Sequence, residues 1–137
     1  MSEFWKDAAE LEKAVVKMYE IAKEDKEVFE KGKLGKIIVY KYHDPDAQVW
    51  FDTRDDKFSY GTGEPPAPFD VRISCSGDDA HRAWSNKLNT VMAMTRKKLK
   101  VEGSITDLMK GAGLLKNFAI AYNKALKEMG KESIILK

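Results

Sequence analysis

A single cysteine, Cys75, stands in 137 residues, so no internal disulfide can form and the paired-cysteine spacings of structural zinc sites are excluded. Long apolar runs are also missing. Nothing approaches the roughly 20 residues a membrane-spanning helix needs, and the opening "MSEFWKDAAELEK" is charged and amphipathic where a signal peptide carries an apolar core. Charge of one sign is scarce too: 24 Lys and Arg against 22 Asp and Glu leave a net charge of +2, too weak a field to draw nucleic acid or membrane from afar. The chain ends in "IILK", which differs from the peroxisomal tripeptide address. Together these absences predict a cytoplasmic protein whose basic effects are local.

What is present is a folded chain. Hydrophobic residues at 43% with charged residues at 34% place it among soluble globular proteins, far from the low-hydrophobicity compositions that stay disordered. The length predicts one domain over residues 1–137 that buries roughly two thirds of its unfolded surface. No internal repeat or low-complexity tract divides it. Phe4, Ala8, Leu11, Val15, Met18 and Ala22 recur at spacings of four and three, the apolar stripe of a helix that could run on to Phe29, with Ser2 as its cap. Gly32 and Gly35 then stop it, and "KIIVYKYH", "QVWFDT" and "KFSYGTG" predict a three-stranded meander over 37–61. The prolines of "EPPAP" exclude central sheet there and make it a loop.

A fourth strand follows, "FDVRISC", with Phe69, Val71, Ile73 and Cys75 on a buried face and Asp70, Arg72 and Ser74 opposite. Ser76 and Asp79 have capping-box spacing and predict a short helix from Asp78 to about Lys87. Asn89 is placed to cap a second short helix through Met94. Leu99 and Val101 then alternate with Lys98, Lys100 and Glu102, a strand with one wet face. From Ser104 to Glu128, Leu108, Leu115, Phe118, Tyr122 and Leu126 keep helical spacing, but "GAG" at Gly111–Gly113 predicts a break or hinge. Leu114, Leu115, Phe118, Ile120 and Tyr122 make an apolar surface too broad for a helix lying on solvent, so this segment must cover something.

The run "FDVRISCSGDDAHRAWSNKLNTVMAMTRKKLKVEGSITDLM" resembles the sterol carrier protein 2 family. The acidic helix start at Asp78 and Asp79, the corner at Lys87 and Leu88, Ala93 in the short helix, and Lys98, Leu99, Lys100, Val101 and Gly103 of the last strand match its motif. Asn86 and Lys97 stand where that family has glycines. Asparagine tolerates the left-handed backbone, whereas lysine does so less easily, which predicts a different end for the second short helix. The resemblance implies an α+β fold, one mixed, roughly five-stranded sheet with helices over one face. It also implies an apolar cavity between the two layers that takes a lipid, fatty acid or sterol.

On that resemblance Trp84, Leu88, Met92, Leu99, Val101, Leu115, Phe118 and Tyr122 are the expected cavity lining, with the helix after "KLKVEG" as its lid. Arg96, Lys97, Lys98 and Lys100 read either as a solvated strand edge or as a contact for an anionic membrane or a ligand carboxylate. Nucleic acid is disfavoured, because no strongly basic domain or stacking aromatics accompany them. Met92, Met94 and Met109 read first as core filler. Cys75 on a buried strand face is a poor nucleophile whatever its distance from His81, and "HDPD" around His43 is turn chemistry before it is a metal site. No catalytic set converges, so no enzyme, metal or cofactor is expected. Two functions remain open: a lipid carrier, or an accessory module supporting a partner enzyme that acts on lipids.

Overall fold

The computed structural model describes residues 2–137, apart from the side chains of residues 107, 108 and 112. Leu108, one of the apolar positions assigned above, therefore lies outside the described side chains. Helix α1, Ala8–Ala22, buries Leu11, Ala14, Val15, Met18, Tyr19 and Ala22, as the spacing predicts. Its cap is Asp7, whose side chain accepts from the Glu10 amide, and not Ser2. The Ser2 hydroxyl instead donates to Asp78 at 2.6 Å, and the amides of Glu3 and Phe4 donate to the same carboxylate. Asp78 thus fastens the start of the chain as well as opening its own helix. The run towards Phe29 is two helices, because Asp25 caps a new one, α2, Lys26–Lys31, by accepting from the Glu27 and Val28 amides.

Strands β1 (Ile37–His43), β2 (Ala47–Asp52), β3 (Ser59–Thr62), β4 (Val71–Ser76) and β5 (Lys100–Gly103) form one sheet in the order β3-β2-β1-β4-β5. The fold is α+β and the sheet mixed: β1 and β4 run parallel, and the other neighbours are antiparallel. Register puts Tyr40 beside Ile73 and Tyr42 beside Cys75. Ile38, Tyr40 and Tyr42 therefore share the face on which β4 buries Val71, Ile73 and Cys75.

The helical layer lies over that face. Helix α3, Gly77–Trp84, starts at Ser76, which accepts from the Asp79 amide. The Asp79 carboxylate takes Arg82 at 3.0 Å instead of returning to Ser76. Asn86 turns the chain at φ 59, so the helix ends sooner than Lys87. Helix α4, Thr90–Thr95, is capped by Asn89, and Lys97 follows it at φ 60. Lysine here adopts the conformation that glycine would take, so the expected difference at the end of this helix does not arise. Gly103, at φ 98, passes so close to the Asp70 carbonyl that a Cβ would collide with it. The C-terminal segment breaks where "GAG" predicts, into α5 (Ile105–Lys110), a single turn at Ala112–Leu114, and α6 (Leu115–Glu128). Helix α6 packs along α1, which also crosses β2 and β3.

Candidate functional site: an apolar cavity between sheet and helices

The period-2 alternation of β1 sends Ile38, Tyr40 and Tyr42 towards the helices, and between the layers they floor a cavity of about 190 Å³. Phe51 of β2 and Ile73 and Cys75 of β4 complete the floor. Tyr19 of α1, Trp84 of α3, Leu99 and Phe118 wall it. Ile105, Met109, Leu114 and Leu115 lie on the side of the α5 segment, where Ile105 and Met109 are exposed. Among the described side chains that line the cavity, none is charged.

Its walls are held by aromatic packing. The Tyr19 ring stacks on Phe51 at 4.4 Å and meets Trp84 and Phe118 edge-on at 5.9 and 5.7 Å, the geometries that ring quadrupoles favour. The few polar atoms are paired sparingly. Tyr19 and Tyr40 share one hydrogen bond between hydroxyls at 2.9 Å, and the Trp84 indole N–H donates to the Tyr42 hydroxyl at 3.1 Å. Burial pushes the Tyr40 phenol up to about 12 and Tyr42 well above its ordinary value, so both stay protonated.

Of the residues expected at the lining, Trp84, Leu99, Leu115 and Phe118 are there. Leu88, Met92, Val101 and Tyr122 are not. Leu88 and Val101 are half-buried against the core, Val101 being held in β5 opposite Ile73. Met92 is exposed because α4 turns Ala93 inward instead. Tyr122 is fully buried one turn further along the same face of α6, beyond the cavity, where its hydroxyl lies 2.6 Å from His81 Nδ1. Met92 and Met109 are not core filler, being 46% and 63% exposed, and Met109 sits on the rim. Arg96, Lys97, Lys98 and Lys100 are all exposed, at the sheet-edge strand β5 and the turn before it.

Tyr19, Tyr40 and Tyr42 were missed, although a signal existed. Ile38, Tyr40 and Tyr42 alternate along β1, and Tyr19 follows Val15 by one helical turn. The family motif lies over 69–109, which supplies Ile73 and Cys75, whereas Tyr19, Tyr40, Tyr42 and Phe51 come from the first half of the chain.

Burial pushes the Cys75 thiol up to about 12, with the nearby Asp79 adding to the shift. Its thiolate is suppressed at neutral pH. His81 cannot serve it as a base, since Nδ1 faces Tyr122 and Nε2 faces the Ile134 carbonyl at 2.8 Å. His43 lies on the surface, 3.6 Å from Asp44. Among the described residues no three His, Cys, Asp or Glu side chains gather as metal ligands, and no helix is long and apolar enough to cross a membrane.

Comparisons with known proteins bear on this architecture. The sterol carrier protein domain 2 of Helicoverpa armigera superposes with a TM-score of 0.63 at 22% identity, over 84% of this chain and 95% of that one. Sterol carrier protein 2 from Yarrowia lipolytica gives 0.62 at 20% identity, over 87% and 96%. At such identities the likeness is one of fold. A curated relative, hydroxysteroid dehydrogenase-like protein 2 of Danio rerio, is 36% identical over 70 residues, which is 49% of this chain and only 17% of that protein. The profile of the SCP-2 sterol transfer family matches residues 17–116. A match over so much of the chain, on a fold shared with sterol carrier proteins, decides the relationship: this chain belongs to the SCP-2 sterol transfer family.

Proposed function

We propose that this domain is a lipid carrier, which takes the apolar body of a sterol, fatty acyl or polyprenyl molecule into the cavity and holds it without reacting with it. The observation that carries this reading is a cavity walled by both layers of the fold, whose described lining side chains are all uncharged. Burial of an apolar molecule there stabilises the complex by roughly 25 cal/mol per Å² removed from water, with little demand on the ligand's shape. A suppressed thiol and a histidine with both nitrogens engaged support a role without covalent chemistry.

At about 190 Å³ the cavity is smaller than the roughly 300–1,000 Å³ of ordinary ligand pockets. A whole lipid needs the mouth to widen, and the α5 segment between Gly103 and Leu114 is the part to move. The exposed lysines Lys97, Lys98 and Lys100 would meet an anionic bilayer during exchange.

Mass spectrometry of lipids extracted from protein purified without detergent tests the reading, with titration of fatty acids and sterols followed by Trp84 fluorescence. Co-purifying lipid and a fluorescence change support a carrier. Neither one, in a folded protein, removes it. A second reading, an accessory module for a lipid-metabolising enzyme, is favoured by the dehydrogenase-like relative, which matches over a small part of its length. A stable complex with such an enzyme in a pull-down would support that reading.

A further inference from the structure

The polar atoms of the cavity floor are unequally supplied. The Tyr19 hydroxyl donates to that of Tyr40 in the one hydrogen bond the pair shares, so the Tyr40 proton is left over. Tyr42 accepts from the Trp84 indole, which can only donate, so the Tyr42 proton is also left over. Among the described residues the protein offers neither proton an acceptor. Both tyrosines line the cavity, and both hydroxyls remain protonated at any physiological pH. A buried O–H without an acceptor is costly, by about 1–3 kcal/mol. Among the described residues the floor is thus donor-rich and acceptor-poor, and no cation lines the chamber.

From this geometry we infer that the ligand carries a neutral acceptor oxygen, a ketone, ester or hydroxyl oxygen, on the part that enters the cavity, hydrogen-bonded by the hydroxyls of Tyr40 and Tyr42. The inference rests on the carrier reading and deepens it. A plain hydrocarbon end wastes both donors. A carboxylate end brings a full charge into a cavity where no described side chain offers a charged partner, which costs far more than two neutral hydrogen bonds return. A fatty acid therefore enters tail first, leaving its carboxylate outside and the tyrosines unanswered.

Short probes that suit the cavity test this: nonane, 2-nonanone and octanoate, titrated by calorimetry into the wild type, Tyr42→Phe and Tyr40→Phe/Tyr42→Phe. The wild type should bind 2-nonanone about three- to tenfold more tightly than nonane, the worth of one net hydrogen bond. In the double variant that advantage should vanish, the ratio of the 2-nonanone and nonane affinities falling to about one. Infrared spectroscopy of bound 2-nonanone supplies a readout independent of affinity: its carbonyl stretch should shift to lower frequency in the wild type and lose the shift in the double variant. Should that variant unfold, Tyr42→Phe alone must remove part of the shift. A ketone that binds no better than nonane, an unshifted carbonyl, or a preference that survives both substitutions overturns the inference and leaves the carrier reading standing. Binding of none of the three probes overturns both.

Discussion

Lys97 shows most directly how a single residue bears on this fold. It holds a left-handed backbone, φ 60, that costs an L-residue roughly 1–2 kcal/mol and glycine almost nothing. Lys97→Gly should raise stability by up to about 1 kcal/mol, less than the full strain because glycine also frees the unfolded chain; urea unfolding measures it. Cys75→Ser should lower stability by about 1–2 kcal/mol, since a hydroxyl on that buried strand face needs a partner the thiol does not, and should leave lipid binding intact. Loss of binding in a folded Cys75→Ser protein would contradict the non-catalytic role given to the thiol. His81 is fully buried between Tyr122 and the Ile134 carbonyl, and burial, the largest cause, lowers its pKa below 6.5. The unfolded chain therefore takes up this proton at a higher pH than the folded protein. Stability from the neutral imidazole is present above about 6.5 and is lost as pH falls through that value towards the lower folded pKa. Thermal melts should fall between pH 7.5 and 5.5. His81→Gln should be less stable at pH 7.5, by about 1–3 kcal/mol, with a flatter pH dependence.

Among the elements, the break between α5 and α6 is the one with a functional consequence. Ile105, Met109, Gly111, Leu114 and Leu115 all border the cavity, so a rotation at the turn Ala112–Leu114 changes its mouth. A Cβ added at Gly113 would meet nothing within 4 Å, and the residue has no left-handed requirement there. Gly113→Ala should therefore be tolerated in the closed form while disfavouring the more varied conformations of an open one, by roughly 0.4–1 kcal/mol. Stopped-flow exchange of a fluorescent fatty acid should slow by about two- to fivefold with a smaller change in affinity. Equal exchange rates would mean that the mouth opens elsewhere.

For the whole molecule, a net charge of +2 gives little steering, so any attraction to membranes must come from a patch. Lys97, Lys98 and Lys100 are exposed together at the β5 edge. Reversing all three to glutamate should slow transfer of fluorescent lipid between anionic vesicles at low ionic strength. The difference should shrink as salt shortens the field to about 10 Å at 0.1 M. Equal transfer at low salt would leave the lysines as a solvated edge.

Local chemistry determined the strands and the starts of α3 and α4 on its own: the β-branched run of β1, the alternation of β4, the Ser76 and Asn89 caps and the "GAG" break act over a few neighbouring residues. The residues of the motif over 69–109 carried the family resemblance. What needed the tertiary structure was every pairing of distant positions. Asp78 looked complete as a first-turn carboxylate, yet it receives Ser2, Glu3 and Phe4 from the far end of the chain. Tyr122 and Phe118 share a helical stripe four residues apart, and only the placing of α6 against α3 gives one to His81 and the other to the cavity. The tyrosine floor arises because β1 pairs with β4 in a register that aligns Tyr40 with Ile73 and Tyr42 with Cys75. Spacing within a strand fixes which side chains share a face; which face meets the helices, and what remains unfilled between them, depends on how the layers pack.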